Sequence, residues 1–326
     1  MKPAKIEISH KTIIFTVLFL LFLAFLYQIR QIILLLFIAI IFMSTLSPIV
    51  DKMEKLKLPR GLSVLLLYIL IWAVISYGIA SLAPPLIEQS ARFITRLPQD
   101  IAQLSHGRFD LSILQPQLNT LPERLLRLVV NTFTNVITVF SFMVIVYYLI
   151  LERKNLKKYL TFLFGDGDRE KHAERFISKL EQKLGSWMRG QLALMLIVGL
   201  MSYIGLTFLG VEFAVPLAFI AGLFEIIPNV GPTISMIPAI LVALGSSPVL
   251  GLAVFALYFI IQQLENNFIV PRIMSKAVGL SPLIIIIALL TGFRAGGVAG
   301  AVLSVPILLF LEIFINDFYH RHYRKK

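Results

Sequence analysis

Residues 224–234 read F-E-I-I-P-N-V-G-P-T-I, in the middle of a stretch, 213–247, that is otherwise as apolar as a lipid-facing helix. Glu225, Pro228, Asn229, Gly231 and Pro232 all fall within it. A proline removes a backbone donor and opens the carbonyl four residues earlier, and glycine permits turns closed to other residues. A helix is therefore expected to break here. Unbroken, 213–247 would measure about 52 Å, too long for one crossing of a hydrocarbon core of about 30 Å. Split at P-N-V-G-P, it gives two arms of about 24 Å each. A hairpin that enters the membrane and returns to the same side fits these lengths best.

Such a break has chemical consequences. Non-helical backbone at depth must be buried in protein or face water. Freed carbonyls together with Asn229 would ligate a dehydrated cation, and helix-terminal amides would hold a polar solute. Glu225 stands one helical turn before Asn229, so both face one side. An ionisable group at depth is costly and marks a functional position, here one suited to proton coupling. The competing reading makes the Pro–Gly turn the tip of a packing hairpin, with Glu225 at the cytoplasmic headgroups.

Composition supports the membrane setting. Hydrophobic residues make up 58% of the 326 and charged residues only 15%, with a mean hydropathy of +0.85. A soluble chain would carry about a quarter charged residues. The apolar residues come in blocks close to the roughly 20 residues that span a bilayer. They are continuously apolar and not alternating, which argues against a transmembrane barrel. The fold class is an all-α polytopic membrane protein. Six full spans are expected at 12–28, 31–48, 62–83, 129–151, 192–209 and 248–264, with two broken regions at 213–247 and 281–315.

The net charge is +12, but the basic residues sit in short connections beside apolar spans, so no nucleic-acid partner is expected. Lys52, Lys55, Lys57 and Arg60 lie in 48–61, ten Lys and Arg lie in 152–191, and four lie in the tail H-R-H-Y-R-K-K. With Lys2, Lys5 and Lys11 these fall on one side, which the positive-inside pattern makes cytoplasmic, next to anionic lipid. Both termini are then cytoplasmic and the first span is uncleaved. The organisation reads as N-terminal spans (1–83), an external helical insert (84–128), a span (129–151), a cytoplasmic basic amphipathic region (152–191), a transport core (192–315) and a basic tail (316–326). Asp168 is expected to cap a helix whose apolar stripe, Ala173, Phe176, Ile177, Leu180, Leu184 and Trp187, lies on the inner membrane surface or on a neighbouring subunit.

The second broken region parallels the first. It breaks at G-F-R-A-G-G (292–297), and its V-P-I-L-L (305–309) answers the I-P-A-I-L at 237–241. Each region follows a full span, and the two spans cross in opposite directions. The pair therefore reads as an inverted repeat, the layout of many secondary transporters. A second polar cluster, Gln262, Gln263, Glu265, Asn266 and Asn267, covers two adjacent faces at the end of span 248–264. Gln263, Glu265 and Asn267 are the second set of site candidates, completing a polar route near Asn229 if they face inward. Arg294, at the second break, either pairs with Glu225 or snorkels to the outer surface.

Other chemistries lack their residues. There is no cysteine, and the five histidines lie outside the spans, so no metal site is expected. No G-x-x-x-x-G-K-[ST] occurs, no cofactor is implied, and an enzyme is not expected.

The residues also carry a family resemblance. R-G-Q (189–191), F-L-G-V-E-F-A-V-P-L-A-F-I-A-G-L-F-E-I-I-P-N-V-G-P (208–232), Q-Q-L-E-N-N-F-I-V-P-R-I-M (262–274) and Gly297-x-x-Gly300 followed by S-V-P resemble the autoinducer-2 exporter family of PerM-type permeases. The resemblance runs along the whole chain and implies a homo-oligomeric secondary transporter of the bacterial inner membrane. It implies export of a small polar signal molecule of the autoinducer-2 type, or alternatively sodium or lithium/proton antiport. A non-transporting envelope scaffold is a further alternative, which leaves two breaks at membrane depth without a purpose.

Overall fold

The computed structural model describes residues 10–77, 136–164, 168–228, 230–274 and 281–323, with a few isolated positions besides. Every regular element among the described residues is helical. These are α1 (His10–Gln28), α2 (Arg30–Lys55), α3 (Arg60–Tyr77), α4 (Val136–Phe164), α5 (Asp168–Phe208), α6 (Ala214–Phe224), α7 (Gly231–Ser246) and α8 (Pro248–Leu264). A π turn, Glu265–Ile269, leads from α8 into the short α9 (Val270–Met274), and α10 (Pro282–Tyr323) follows. Among the described residues, six stretches are long and apolar enough to cross a membrane: His10–Gln28, Arg30–Lys55, Arg60–Tyr77, Glu174–Phe208, Pro248–Met274 and Leu283–Asp317. Apart from isolated positions, the insert expected at 84–128 lies outside the described residues.

The turn expected near Arg30 is a bend at one residue. Helical hydrogen bonds continue across it, from Ile29 N–H to the Phe25 carbonyl and from Ile33 N–H to the Ile29 carbonyl, both 3.0 Å. No residue of α1 is buried within the chain.

The amphipathic region and the span after it form one unbroken helix, α5, of 41 residues, about 62 Å long. No proline interrupts it. Its stripe residues Leu180, Leu184 and Trp187 are buried inside the chain together with Ile41 of α2 and Leu309 and Ile313 of α10, and Ile177 is buried as well. Neither the membrane surface nor a neighbouring subunit is needed to cover these residues. The charged face pairs as well. Arg153 of α4 bridges Asp51 of α2 and Glu181 of α5, each at 2.7 Å, and the Glu181 hydrogen bond, followed by Asp51, favours its charged form. Arg60 reaches Asp51 at 3.1 Å and Glu54 at 2.8 Å, and Lys183 reaches Glu312 at 2.7 Å. One end of the bundle is thus a network of charges, around an open cleft of about 590 Å³.

The crossing of α2 and α5 depends on a proline. Pro48 lies inside α2 and has no N–H, so the Ser44 carbonyl loses its helical partner. Arg189 supplies one: Nη1 donates to the Ser44 and Thr45 carbonyls, both at 3.2 Å, and Nη2 donates to Ser186 Oγ at 3.2 Å. At Gly185 the α5 backbone comes so close to the Ser44 carbonyl that a Cβ would have no room.

Three tight reversals follow. α5 ends at Gly210, with φ 69°, and bonds from Gly210 N–H to the Thr207 carbonyl and from Val211 N–H to the Leu206 carbonyl. This is the Schellman arrangement, in which glycine tolerates the left-handed conformation. α6 then returns along α5, with Gly199 and Gly222 in contact, the close approach that small residues allow between membrane helices. α6 and α7 form the hairpin around P-N-V-G-P. α7 turns into α8 at Ser247, whose side chain accepts from Leu250 N–H at 3.1 Å ahead of Pro248, a serine cap with proline at the first helical position.

α10 also breaks where its glycines fall. Gly296 and Gly297 have non-helical torsions, Gly297 with φ 61° and ψ −144°. The backbones of Gly292 and Gly300 then meet face to face, leaving no space for a Cβ at either. The chain doubles back at this point, and its second arm carries Val305 and Leu309 into the core with α2 and α5.

Arg189→Met should strand the Ser44 carbonyl, which Pro48 leaves without a helical donor, destabilising the protein by about 1–3 kcal/mol. A thermal unfolding midpoint in detergent that does not fall would contradict this account of the crossing.

Candidate functional site

The two arms of the first hairpin are unequal. α6 has 11 residues and α7 has 16, about 17 and 24 Å. The turn between them consumes its own carbonyls. Ile226 N–H bonds to the Leu223 carbonyl, Ile227 N–H to Phe224, Val230 N–H to Pro228 and Gly231 N–H to Ile227. The carbonyl of Glu225 accepts from Gln191 Nε2 of α5. The freed oxygens expected at this break are therefore mostly partnered, and the unpartnered ones belong to side chains.

The Glu225 side chain is fully buried at 0% exposure, with Glu265 at 2% and Gln191 at 1%. Glu225 follows the last residue of α6, and Glu265 opens the π turn after α8. Their carboxyl groups lie against each other. Both carboxyl oxygens of Glu225, Oε2 of Glu265 and Oε1 of Gln191 are buried without a hydrogen-bond partner among the described residues. Every one of these atoms is an acceptor when the carboxyls are ionised. Native interiors seldom leave such groups unsatisfied, and a buried charge needs a partner. In the ionised state these acceptors call for a donor or a positive charge beside them.

Each member reaches this point by ordinary helical phase. On α8, Val254, Tyr258, Ile261 and Glu265 form one buried row, so Glu265 continues an apolar stripe. Val270 N–H then bonds back to the Glu265 carbonyl, a widened turn of the kind often found at functional positions. On α5, Leu184, Gln191, Leu194, Val198 and Ser202 form a similar buried row. Gln191 was read only as part of a family motif. A glutamine in register with the apolar row of its helix was the signal that would have singled it out.

The remaining candidates are placed apart from the pair. Gln263 and Asn267 are exposed on the outer side of α8 and the π turn, with Asn266 beside them. Arg294 is exposed near the α10 break and makes no ion pair with Glu225 among the described residues. Asn229 lies outside the described residues. Pro228 is half-buried and Pro232 is buried as the second residue of α7. Gly231 is buried with its α-carbon against the Phe224 carbonyl, so it sets the hairpin's closing distance.

Gly231→Ala should prevent that closure, because its Cβ would overlap the Phe224 carbonyl. Overpacking of this kind costs about 1–3 kcal/mol. A thermal midpoint equal to that of the native protein would show that the turn relaxes freely.

Comparison with known proteins places this geometry in context. Residues 13–320 match the family model described as AI-2E family transporter. The chain is 28% identical over 301 residues to YrrI of Bacillus subtilis, named as a candidate transport protein, covering 85% of this chain and 84% of YrrI. YueF of the same organism, named likewise, is 27% identical over 313 residues, with 84% and 85% covered. YhhT of Escherichia coli, also named as a candidate transport protein, is 24% identical over 297 residues, with 85% and 82% covered.

Proposed function

Because this chain belongs to the AI-2E transporter family, we propose that it is a proton-coupled secondary transporter of the bacterial inner membrane that exchanges a monovalent cation for protons at Glu225 and Glu265. One observation carries this reading: two buried carboxyls lie against each other, and their oxygens have no hydrogen-bond partner among the described residues. A pair that must hold either a proton or a cation makes the two compete for one place, and competition at one site couples two flows. The unpartnered atoms are all oxygens, Oε1 and Oε2 of Glu225, Oε2 of Glu265 and Oε1 of Gln191, a donor set that suits a hard cation. A second reading follows from the family's description. A small polar molecule of the autoinducer-2 type would be exported instead, with the same carboxyl pair carrying the driving proton.

In this scheme the hairpins α6–α7 and the two arms of α10 are re-entrant and form an inverted pair, each following a full span, α5 and α8. The charged end of the bundle, with Lys55, Arg60, Arg153 and Arg272, faces the cytoplasm. Outward-facing amides such as Asn266 and Asn267 would join copies of the chain into a homo-oligomer, since polar side chains hold membrane helices together.

The transport test uses purified protein in sealed liposomes with a pH-sensitive dye inside, pulsed externally with sodium. A pH change above that of protein-free vesicles is expected, and it should be abolished in Glu225→Gln and in Glu265→Gln. No sodium-dependent change in the native protein would set the antiport reading aside, and efflux of labelled autoinducer-2 would then decide the second.

Orientation is tested separately, in a chain that has no native cysteine. In intact cells Glu212→Cys, at the far end of α5, should react with an impermeant thiol reagent. Arg272→Cys should not react. The reverse pattern would invert the proposed topology.

A further inference from the structure

The proposed exchange uses Gln191, Glu225 and Glu265 and leaves a second buried polar pair unexplained. Ser202 of α5 is 0% exposed and Tyr258 of α8 is 4% exposed. Their hydroxyl groups are near enough to interact, and neither makes a hydrogen bond of ordinary geometry among the described residues. A buried tyrosine hydroxyl ordinarily finds a partner, and two orphans side by side mark a place where something else belongs.

Their position relates them to the carboxyl pair. α5 and α8 run in opposite directions past each other. Ser202 is eleven residues beyond Gln191 on α5, about 16 Å further from the charged end. Tyr258 is seven residues before Glu265 on α8, about 10 Å in the same direction. Eleven and seven residues are close to three and two whole turns, so each hydroxyl lies on the helix face that carries its counterpart. Val198 and Ile261 separate the two levels. Beyond the hydroxyls, Leu206, Leu217, Val242 and Val254 close the seam with apolar side chains. The hydroxyls are therefore the last polar groups before an apolar plug.

We propose that Ser202 and Tyr258 form a second, uncharged station on the path of the coupling proton, passing it by way of water between the carboxyl pair and the far side of the plug. The proposal rests on the proton-coupled reading of Glu225 and Glu265. In each hop one hydroxyl oxygen accepts a proton on a lone pair while its own proton leaves for the next oxygen. Both hydroxyls return to their starting state, and nothing is oxidised or reduced. Water is the co-reactant, entering past Val198 and Ile261 on one side of the hydroxyls and past Leu206 and Val254 on the other when the helices part. Two neutral hydroxyls suit this task because they donate and accept in turn without holding the charge.

The experiment compares Tyr258→Phe and Ser202→Ala with the native full-length protein in the liposome assay, alongside Glu265→Gln. Removing an orphan hydroxyl should leave the thermal midpoint unchanged. Proton flux should fall by about tenfold or more in Tyr258→Phe, the scale of losing a positioned proton-transfer group. It should also fall in Ser202→Ala, which serves as the independent variant if the first does not fold. The rate ratio between light and heavy water should rise in both, because the relay has become the slow step; a packing defect would leave it unchanged. Native flux in both variants, with Glu265→Gln inactive, would overturn the relay and leave the carboxyl pair standing. Loss of flux with an unchanged isotope ratio would also overturn it. A native protein without Glu265-dependent flux would remove the carboxyl reading, and the relay with it.

Discussion

Two carboxyl groups shut away from water and pressed together cannot both keep their charge without a partner. Desolvation and mutual repulsion act in the same direction on such a pair. Glu225 and Glu265 meet this condition, and the packing around them maintains it. Gly199 and Gly222 bring α6 against α5. Gly231 lets the hairpin close on the Phe224 carbonyl, and Gln191 holds the Glu225 carbonyl from the opposite helix. The small residues at these contacts follow from membrane packing, where close backbone approach replaces the hydrophobic drive available in water.

The molecule divides its polar interactions between two levels. At one end of the bundle, Asp51, Glu54, Arg60, Arg153 and Glu181 satisfy one another and tie α2, α3, α4 and α5 together. Deeper in the seam of α5 and α8, polar side-chain atoms are buried without partners among the described residues. The first arrangement joins four helices through ion pairs and fixes the frame. The second leaves acceptors waiting for a donor, which is the condition for binding something that arrives and leaves. Glycine breaks, at 210 between α5 and α6 and at 296–297 within α10, lie where the chain reverses and provide the turns about which short hairpins can shift.

Much of this was legible in the sequence. Apolar block length identifies a helical membrane protein, and proline with glycine locates both breaks to within a few residues. Glu225 is visible as an ionisable group in apolar surroundings, and Glu265 as one member of a polar cluster at a helix end. Their pairing is not, because it depends on α6 and α8 meeting across α5. The second polar cluster leaves inward-facing and water-facing readings open, and the structure divides it: Glu265 continues the buried row of Val254, Tyr258 and Ile261, while Gln263 and Asn267 fall on the other face. Freed carbonyls were expected at P-N-V-G-P because proline opens them, yet a tight turn re-pairs them locally. The stripe on α5 was assigned to lipid or a neighbour, since nothing local announces that α2 and the second arm of α10 return to cover it.

The central claim is that one place binds a proton or a cation but not both. It is tested most directly without transport, by adding sodium to the purified, detergent-solubilised protein in weakly buffered solution and following pH. The account predicts proton release that saturates with sodium and is absent from the Glu225→Gln, Glu265→Gln double variant. Sodium binding with no release of protons, or equal release from the double variant, would contradict it.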